Sequence, residues 1–404
     1  MSSFTTTDRS LETSAPSVPG SPILATYKRA PMEFVRGAGV ELFDSAGKAY
    51  LDLASGIAVN ALGYGDLGIR GAIVDALDSG MIHVSNLYRS KPGELLAQAL
   101  VRQSFAEKVF FCNSGAEANE GAFKFVRRWG RQTGSDAKTE IVALRGSFHG
   151  RLFASLAATD RPSYRAPFRP LAGAISICER DIHALETALD GDTVAALILE
   201  PVQGEGGVRV LDSGFVQKVR QLTTERGIAL ILDEIQCGLG RLGTLFAYEV
   251  FGVTPDIVTL AKPLAGGLPM GAILVSGEIG AAIKPGDHGT TFGGGPLVST
   301  VALEVLRRLS DPSLLASVRE NGIWFGDALR GIATRTGKVR AIRGMGYMWG
   351  LDVVEKASDI IERGWDAGVL VISAGDHTIR LLPPLIMTRD QLARGAALLE
   401  QILA

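Results

Sequence analysis

The sequence predicts an α/β protein, with a large domain built on a mostly parallel sheet between helices and a smaller α/β domain beside it. Three observations point there. From about residue 100 to 280, apolar strand-like runs alternate with helix-like stretches, and such alternation gives parallel sheets covered on both faces. From about residue 300 the texture changes to mixed helix and strand patterns. The chain has 404 residues and 46% hydrophobic content, and single cores stop growing at about 250–300 residues.

The elements follow in order. Segment 35–53 alternates around Gly37, Gly39 and Gly47 in the manner of hairpins. The runs 109–112, 141–144, 174–178, 194–200, 228–233, 256–260 and 271–275 read as buried strands. Patterns at 116–129 and 215–225 read as helices between them. Further on, 298–309 reads as a long helix leading into mixed elements, 340–354 and 378–382 as strands of a smaller sheet, and 390–403 as a closing helix. The expected divisions are a disordered tail at 1–22, an N-terminal segment at 23–70 joining the small domain, the large domain at 71–300, and the small C-terminal domain at 301–404.

Composition narrows the function. A net charge of −2 gives no support for a nucleic-acid or anionic-membrane surface. No apolar run reaches the roughly 18 residues that span a bilayer. Cys112, Cys178 and Cys237 form no CxxC pair and no metal spacing, so no metal is expected and a reducing, cytoplasmic setting fits best. The Ser-, Thr- and Pro-rich start lacks the apolar stretch of a secretory signal, and Asp8 and Glu12 argue against an Arg-rich transit peptide.

Several residues carry potential chemistry. Lys262 follows an apolar run and precedes a glycine-rich loop. A surface lysine is the ordinary alternative, but such a setting also suits an amine kept neutral for covalent catalysis. Asp233 falls where the strand 228–233 runs out. A Walker-B role would need a GxxxxGK[ST] loop, which the sequence lacks, and a metal role would need a His cluster, also lacking. A carboxylate there can also pair with a protonated pyridine nitrogen. The junction 113–120, Asn-Ser-Gly-Ala-Glu-Ala-Asn-Glu, reads either as a phosphate cradle at a helix N-terminus or as a plain capped helix start. Phe148 can lie on a planar ring. Arg151 and Arg380 can each grip a carboxylate, although a surface role for Arg151 is equally open. Segment 238–243, Gly-Leu-Gly-Arg-Leu-Gly, is a formal GxGxxG. No clear helix and no acidic strand end follow it, so it reads as a turn.

Taken together these segments resemble the class III aminotransferases, which have the aspartate-aminotransferase fold (pyridoxal-phosphate fold type I). The likeness runs from about Tyr27 to the C-terminus and makes 71–300 the domain that binds pyridoxal 5′-phosphate. It implies a phosphate-binding turn at Ser114, Gly115 and Ala116, with Phe148 stacked on the ring and Ile235 on its other face. Gln236 becomes a neighbour of the ring hydroxyl, Asp233 the partner of the ring nitrogen and Lys262 the Schiff-base lysine. Thr291, in His-Gly-Thr-Thr-Phe-Gly-Gly (288–294), matches the threonine that reaches the other subunit's cofactor phosphate, which implies a homodimer with shared sites. Segments 56–63 and 85–88 most resemble the acetylornithine branch. There Arg151 and Arg380 fall on carboxylate-binding arginines and Glu205 on the carboxylate that pairs with the second. Gly56 stands where the ornithine branch carries a substrate-binding tyrosine.

The resemblance implies transamination from an N-acylated ornithine-type donor to 2-oxoglutarate. Succinylornithine, ornithine, 4-aminobutyrate and acyl-lysine are the alternative donors. A nucleotide-dependent oxidoreductase built on 238–243 is the rival from another class. Four positions depart from the family's usual pattern: Gly295, Pro263, Ala265 and Tyr64.

Overall fold

A computed structural model describes residues 22–404. The tail expected at 1–22 lies outside the described residues but for its last position. The chain falls into two units, one ending at Glu33 and the other spanning Phe34–Ala404. Residues 22–33 form no helix or strand.

Three short strands open the second unit: β1 (Phe34–Ala38), β2 (Glu41–Asp44) and β3 (Ala49–Asp52). The main sheet then takes β4 (Lys108–Cys112), β5 (Glu140–Leu144), β6 (Ile175–Cys178) and β7 (Val194–Leu199). A two-stranded ribbon follows, β8 (Val202–Gln203) with β9 (Arg209–Val210), before the main sheet resumes with β10 (Ala229–Asp233), β11 (Ile257–Leu260) and β12 (Gly271–Val275). The C-terminal part supplies β13 (Val339–Met345), β14 (Met348–Val353), β15 (Val369–Leu370), β16 (Ile372–Ser373) and β17 (Thr378–Leu381).

The main sheet has the order β4-β12-β11-β10-β7-β5-β6, and only β12 runs antiparallel to its neighbours. All six residues of β7 and all five of β10 are buried, as both faces are covered. Successive side chains of a strand point to opposite faces, and here they feed two separate cores. Leu197, Leu199, Leu230 and Leu232 join one. Ala196, Ile198, Ala229 and Ile231 join the other. The near-continuous apolar runs in the sequence are the signature of such doubly covered strands. All seven expected strands are present, shifted by at most a residue at an end.

The helix Gly115–Thr133 packs on the second core. Ser114 caps it by accepting the Glu117 N–H, and Ala118, Ala122, Phe125, Val126 and Trp129 face inward at helical spacing. The expected helices at 215–225, 298–309 and 390–403 correspond to Ser213–Glu225, Pro296–Leu309 and Arg389–Leu403.

The mixed elements expected after residue 309 open on a helix that the sequence reading did not single out, Pro312–Thr336. Glycines at 322, 326 and 331 weaken its helical pattern in the sequence. Two of them are there for packing. A Cβ on Gly322 would lie 2.7 Å from the Gly346 carbonyl, and one on Gly326 would lie 2.3 Å from Trp349. The helix thus lies directly against the β13–β14 hairpin. That hairpin carries the sheet β13-β14-β17-β16, and β15 pairs in parallel with β3.

Candidate active site

Parallel strands bring their carboxyl ends to one edge, where ligands bind in open α/β sheets. Here those ends carry Phe148 beyond β5, Glu200 beyond β7, Asp233 on β10 and Lys262 beyond β11. The turn Ser114–Gly115–Ala116 follows β4. All of them line one cavity of about 390 Å³, together with Arg151, Glu205, Ile235 and Gln236. Val59 and Met270 add apolar wall.

Asp233 anchors one end of the cavity. Its Oδ2 accepts from the Asn119 amide at 2.8 Å and stands 2.8 Å from His149 Nδ1. Its Oδ1 accepts the Ile235 N–H at 3.1 Å. Asn119 is itself held, donating to the His149 carbonyl at 2.7 Å and accepting from the Thr259 hydroxyl at 2.9 Å. The network is buried. Sequence reasoning gave Asn119 and His149 no role, though the first lies inside the 113–120 junction and the second directly follows Phe148. They lie 114 and 84 positions from Asp233, and only the sheet brings them together.

Glu200 lies beside this network. One carboxylate fastens two loops, accepting the Phe148 N–H at 2.9 Å and the Gly204 N–H at 3.1 Å. Burial pushes its pKa up to about 7, against the opposing charge of His149.

Lys262 is half-buried on the cavity wall. Desolvation by the surrounding protein lowers the amine's pKa, the Asp233 charge opposes this, and Arg380 reinforces it. Arg380 is not among the lining residues; it is buried behind the wall, where its Nη2 stands 2.6 Å from Glu205 Oε1. Its Nη1 donates to Gln236 Oε1 at 3.2 Å and its Nη2 to the Ser373 carbonyl at 3.2 Å, while Nε is buried without a partner among the described residues. Arg151 is exposed and stacks on Tyr164, 3.5 Å from the ring centroid. Thr291 does not line this cavity. It is exposed, on a separate depression that also holds Asn86 and Tyr88.

The departures Tyr64 and Gly295 also stand outside the cavity lining. The Tyr64 hydroxyl donates to Asp52 Oδ2 at 2.5 Å, and Asp52 Oδ1 accepts the Ala54 and Ser55 N–H groups. Segment 238–243 forms no nucleotide turn. Arg241 inside it is buried and donates to the Tyr347 and Pro383 carbonyls, which fasten the turn to the C-terminal elements.

These elements and this cavity define a pyridoxal-phosphate-dependent aminotransferase of fold type I. The chain belongs to the class III aminotransferases: the pattern of the family Aminotransferase class-III matches residues 24–403. It is similar to the mitochondrial acetylornithine aminotransferase of Alnus glutinosa, 44% identical over 95% of this chain and 86% of that one. Among solved structures it resembles the ornithine aminotransferase of Toxoplasma gondii ME49, with TM-score 0.91, 27% identity, and coverage of 95% and 92%. The N-acetylornithine aminotransferase of Stenotrophomonas maltophilia K279a gives TM-score 0.82 and 37% identity, covering 93% and 96%.

The residues present fit pyridoxal phosphate. The Gly115 and Ala116 N–H groups begin a 19-residue helix and have no partner among the described residues, as an anion cradle requires. A Cβ on Gly115 would lie 2.7 Å from Ile235, so only glycine leaves the cradle its shape. His149 Nε2 is buried and orphaned on the far side of the Asp233 contact. Lys262 makes no hydrogen bond with another described residue.

Proposed function

We propose that this enzyme moves the terminal amino group of an N-acylated ornithine to 2-oxoglutarate, giving a semialdehyde and glutamate. The observation that carries this reading is the Glu205–Arg380 pair at 2.6 Å. With Arg380 neutralised, that end of the cavity accepts an uncharged part of a donor. With Glu205 turned away, the same arginine accepts a second carboxylate, as 2-oxoglutarate requires. The similarity to acetylornithine enzymes favours the acylated donor.

Each residue then takes a role. Pyridoxal phosphate, when bound, supplies an electron sink for the carbanion formed at the donor's amine-bearing carbon. Gly115 and Ala116 would hold its phosphate through backbone N–H groups, while Phe148 and Ile235 would bracket its ring and Gln236 would stand near the ring hydroxyl. Asp233 keeps the ring nitrogen protonated. The charge of its carboxylate is fixed in place by Asn119, His149 and the Ile235 N–H. Lys262 would form the covalent link to the cofactor and, when free, would move the proton; burial lowers its pKa, which favours the neutral amine that a base requires. Arg151 holds the donor's α-carboxylate after leaving its stack on Tyr164.

The assembly we propose is a cytoplasmic homodimer in which Thr291 completes the partner's phosphate site. Leu87, Tyr88 and Phe292 surround this region at 90%, 71% and 65% exposure, far more than side chains of their size favour in water. A donor panel with 2-oxoglutarate tests the substrate. An N-acylornithine should exceed free ornithine, 4-aminobutyrate and acyl-lysine in kcat/KM by at least about tenfold, a difference of about 1.4 kcal/mol. Equal or faster turnover of ornithine or 4-aminobutyrate would overturn the assignment.

A further inference from the structure

Beside the ribbon β8–β9 lies a further depression, of about 390 Å³, walled by Arg180, Arg209, Arg330 and Arg343 together with Trp349. Four guanidiniums share this space, and their acidic partners are few. Arg343 forms a two-pronged pair with Asp352, at 2.5 and 2.6 Å. Arg330 reaches Asp327 at 2.6 Å, with both groups exposed. Glu179, next to Arg180, is engaged instead by Arg145 at 2.7 Å. Arg180 has no hydrogen bond or ion pair to any described residue, and Arg209 uses only its Nε, donating to the Gly206 carbonyl at 2.9 Å.

We infer that this depression is a binding site for a small oxyanion, a carboxylate or phosphate group, gripped by Arg180 and Arg209. Two guanidiniums set against each other repel. Both are exposed side chains, and partial desolvation and the charge of Arg209 disfavour the charged form of Arg180, against the opposing charge of Glu179. An anion between them removes that repulsion and supplies acceptors to a planar donor fork suited to two-oxygen groups. Surface arginines normally spread into solvent. Here the ribbon β8–β9 and the chain just beyond β6 place two of them on one concavity whose lining includes no acid, Asp352 and Glu179 acting on them from outside it.

The site is tied to the loop next door. Arg209 holds the Gly206 carbonyl, and Arg343 holds the Gly207 carbonyl through Nε and Nη2 at 3.1 and 3.0 Å. Val208, the next residue, is buried with a φ of 51°, a left-handed conformation unfavourable for a β-branched residue. The arginines therefore brace a strained loop one residue from Glu205, and an anion that orders Arg209 strengthens that brace. The binding claim does not depend on which donor the enzyme uses.

Equilibrium dialysis tests it. The holoenzyme, freed of buffer phosphate, is dialysed against radiolabelled orthophosphate at constant ionic strength. We expect one saturable site per chain beyond the cofactor phosphate. In the double variant Arg180→Gln/Arg209→Gln the affinity should fall at least about tenfold, because removing a charge-assisted hydrogen bond typically weakens binding by that factor. The variant's circular dichroism and cofactor absorbance should match those of the wild type, which shows that it is folded and loaded. Displacement of the label by succinate assigns the site to carboxylates, and displacement by methyl phosphate alone assigns it to phosphate groups. Absence of saturable binding overturns the inference. So does binding of equal strength in the double variant, since phosphate would then sit elsewhere, on Arg380 for instance.

Discussion

The two ends of the catalytic cavity are built on opposite plans. At the Asp233 end, the carboxylate accepts from a side-chain amide and a backbone N–H and contacts an imidazole, and the amide is itself tied down twice. At the Arg380 end, a single ion pair joins a buried arginine, 3% exposed, to a glutamate that is 24% exposed. That glutamate sits in a Gly-Glu-Gly-Gly loop, and the arginine keeps one N–H unsatisfied. A charge fixed on all sides suits a group whose job never changes between half-reactions, because preorganised dipoles cost nothing to reorient. A charge neutralised by one exchangeable anion suits a group that must meet two unlike substrates. On the proposed function, the site thus separates a constant electrostatic task from a variable recognition task.

Substitutions can break that comparison. The largest effect is expected from Lys262→Ala, which removes both the covalent amine and the proton carrier. Turnover should vanish while the cofactor still binds, and an absorbance band with undiminished turnover would refute the role. Next comes Asp233→Asn, which keeps the shape of the network and removes its charge. The expected loss is about 10²–10³-fold in kcat, the size found when one preorganised electrostatic contributor is removed. It should be equal in both half-reactions, because the ring nitrogen needs its partner in each. Single-turnover rates that differ between the halves would break the idea of a constant task.

Arg380→Ala should behave differently. Removing one member of a buried pair costs about 2–5 kcal/mol. This loss should fall on the half-reaction with 2-oxoglutarate and spare the donor half, which needs no free arginine. If stopped-flow traces show both halves slowed alike, Arg380 supports the pocket without selecting substrates.

The strands were legible because a doubly covered parallel strand must be apolar on both faces, so composition alone marks Val194–Leu199 and Ala229–Asp233. Asp233 and Lys262 stood out as polar exceptions at the ends of such runs. The network around Asp233 was not legible: Asn119 and His149 look like a helix residue and a loop residue until the sheet order sets them beside β10. The helix Pro312–Thr336 was obscured by glycines whose purpose, close approach to Gly346 and Trp349, exists only in three dimensions. Arg151 was open to a surface reading as well, and it is exposed and stacks on Tyr164.

The smallest and sharpest effect is expected from Glu205→Ala. This change leaves Arg380 buried with its charge balanced only by Gln236 and the Ser373 carbonyl. A buried guanidinium without its anion is costly, and a substrate carboxylate relieves that cost while an acyl amide does not. Substrates with carboxylates at both ends should therefore gain on the acylated donor. The preference, read as a ratio of half-reaction rate constants, should shift by about tenfold, or about 1.4 kcal/mol. Most of the shift should appear as weaker binding of the donor, since the mutation leaves the hydrogen bonds around Asp233 in place. Glu205→Asp gives the control: a shorter carboxylate keeps the charge, so it should recover part of the original preference. If Glu205→Ala slows both halves equally and Glu205→Asp restores both equally, the pair is a structural strut, and the two ends of the cavity do not differ in the way their hydrogen bonds suggest.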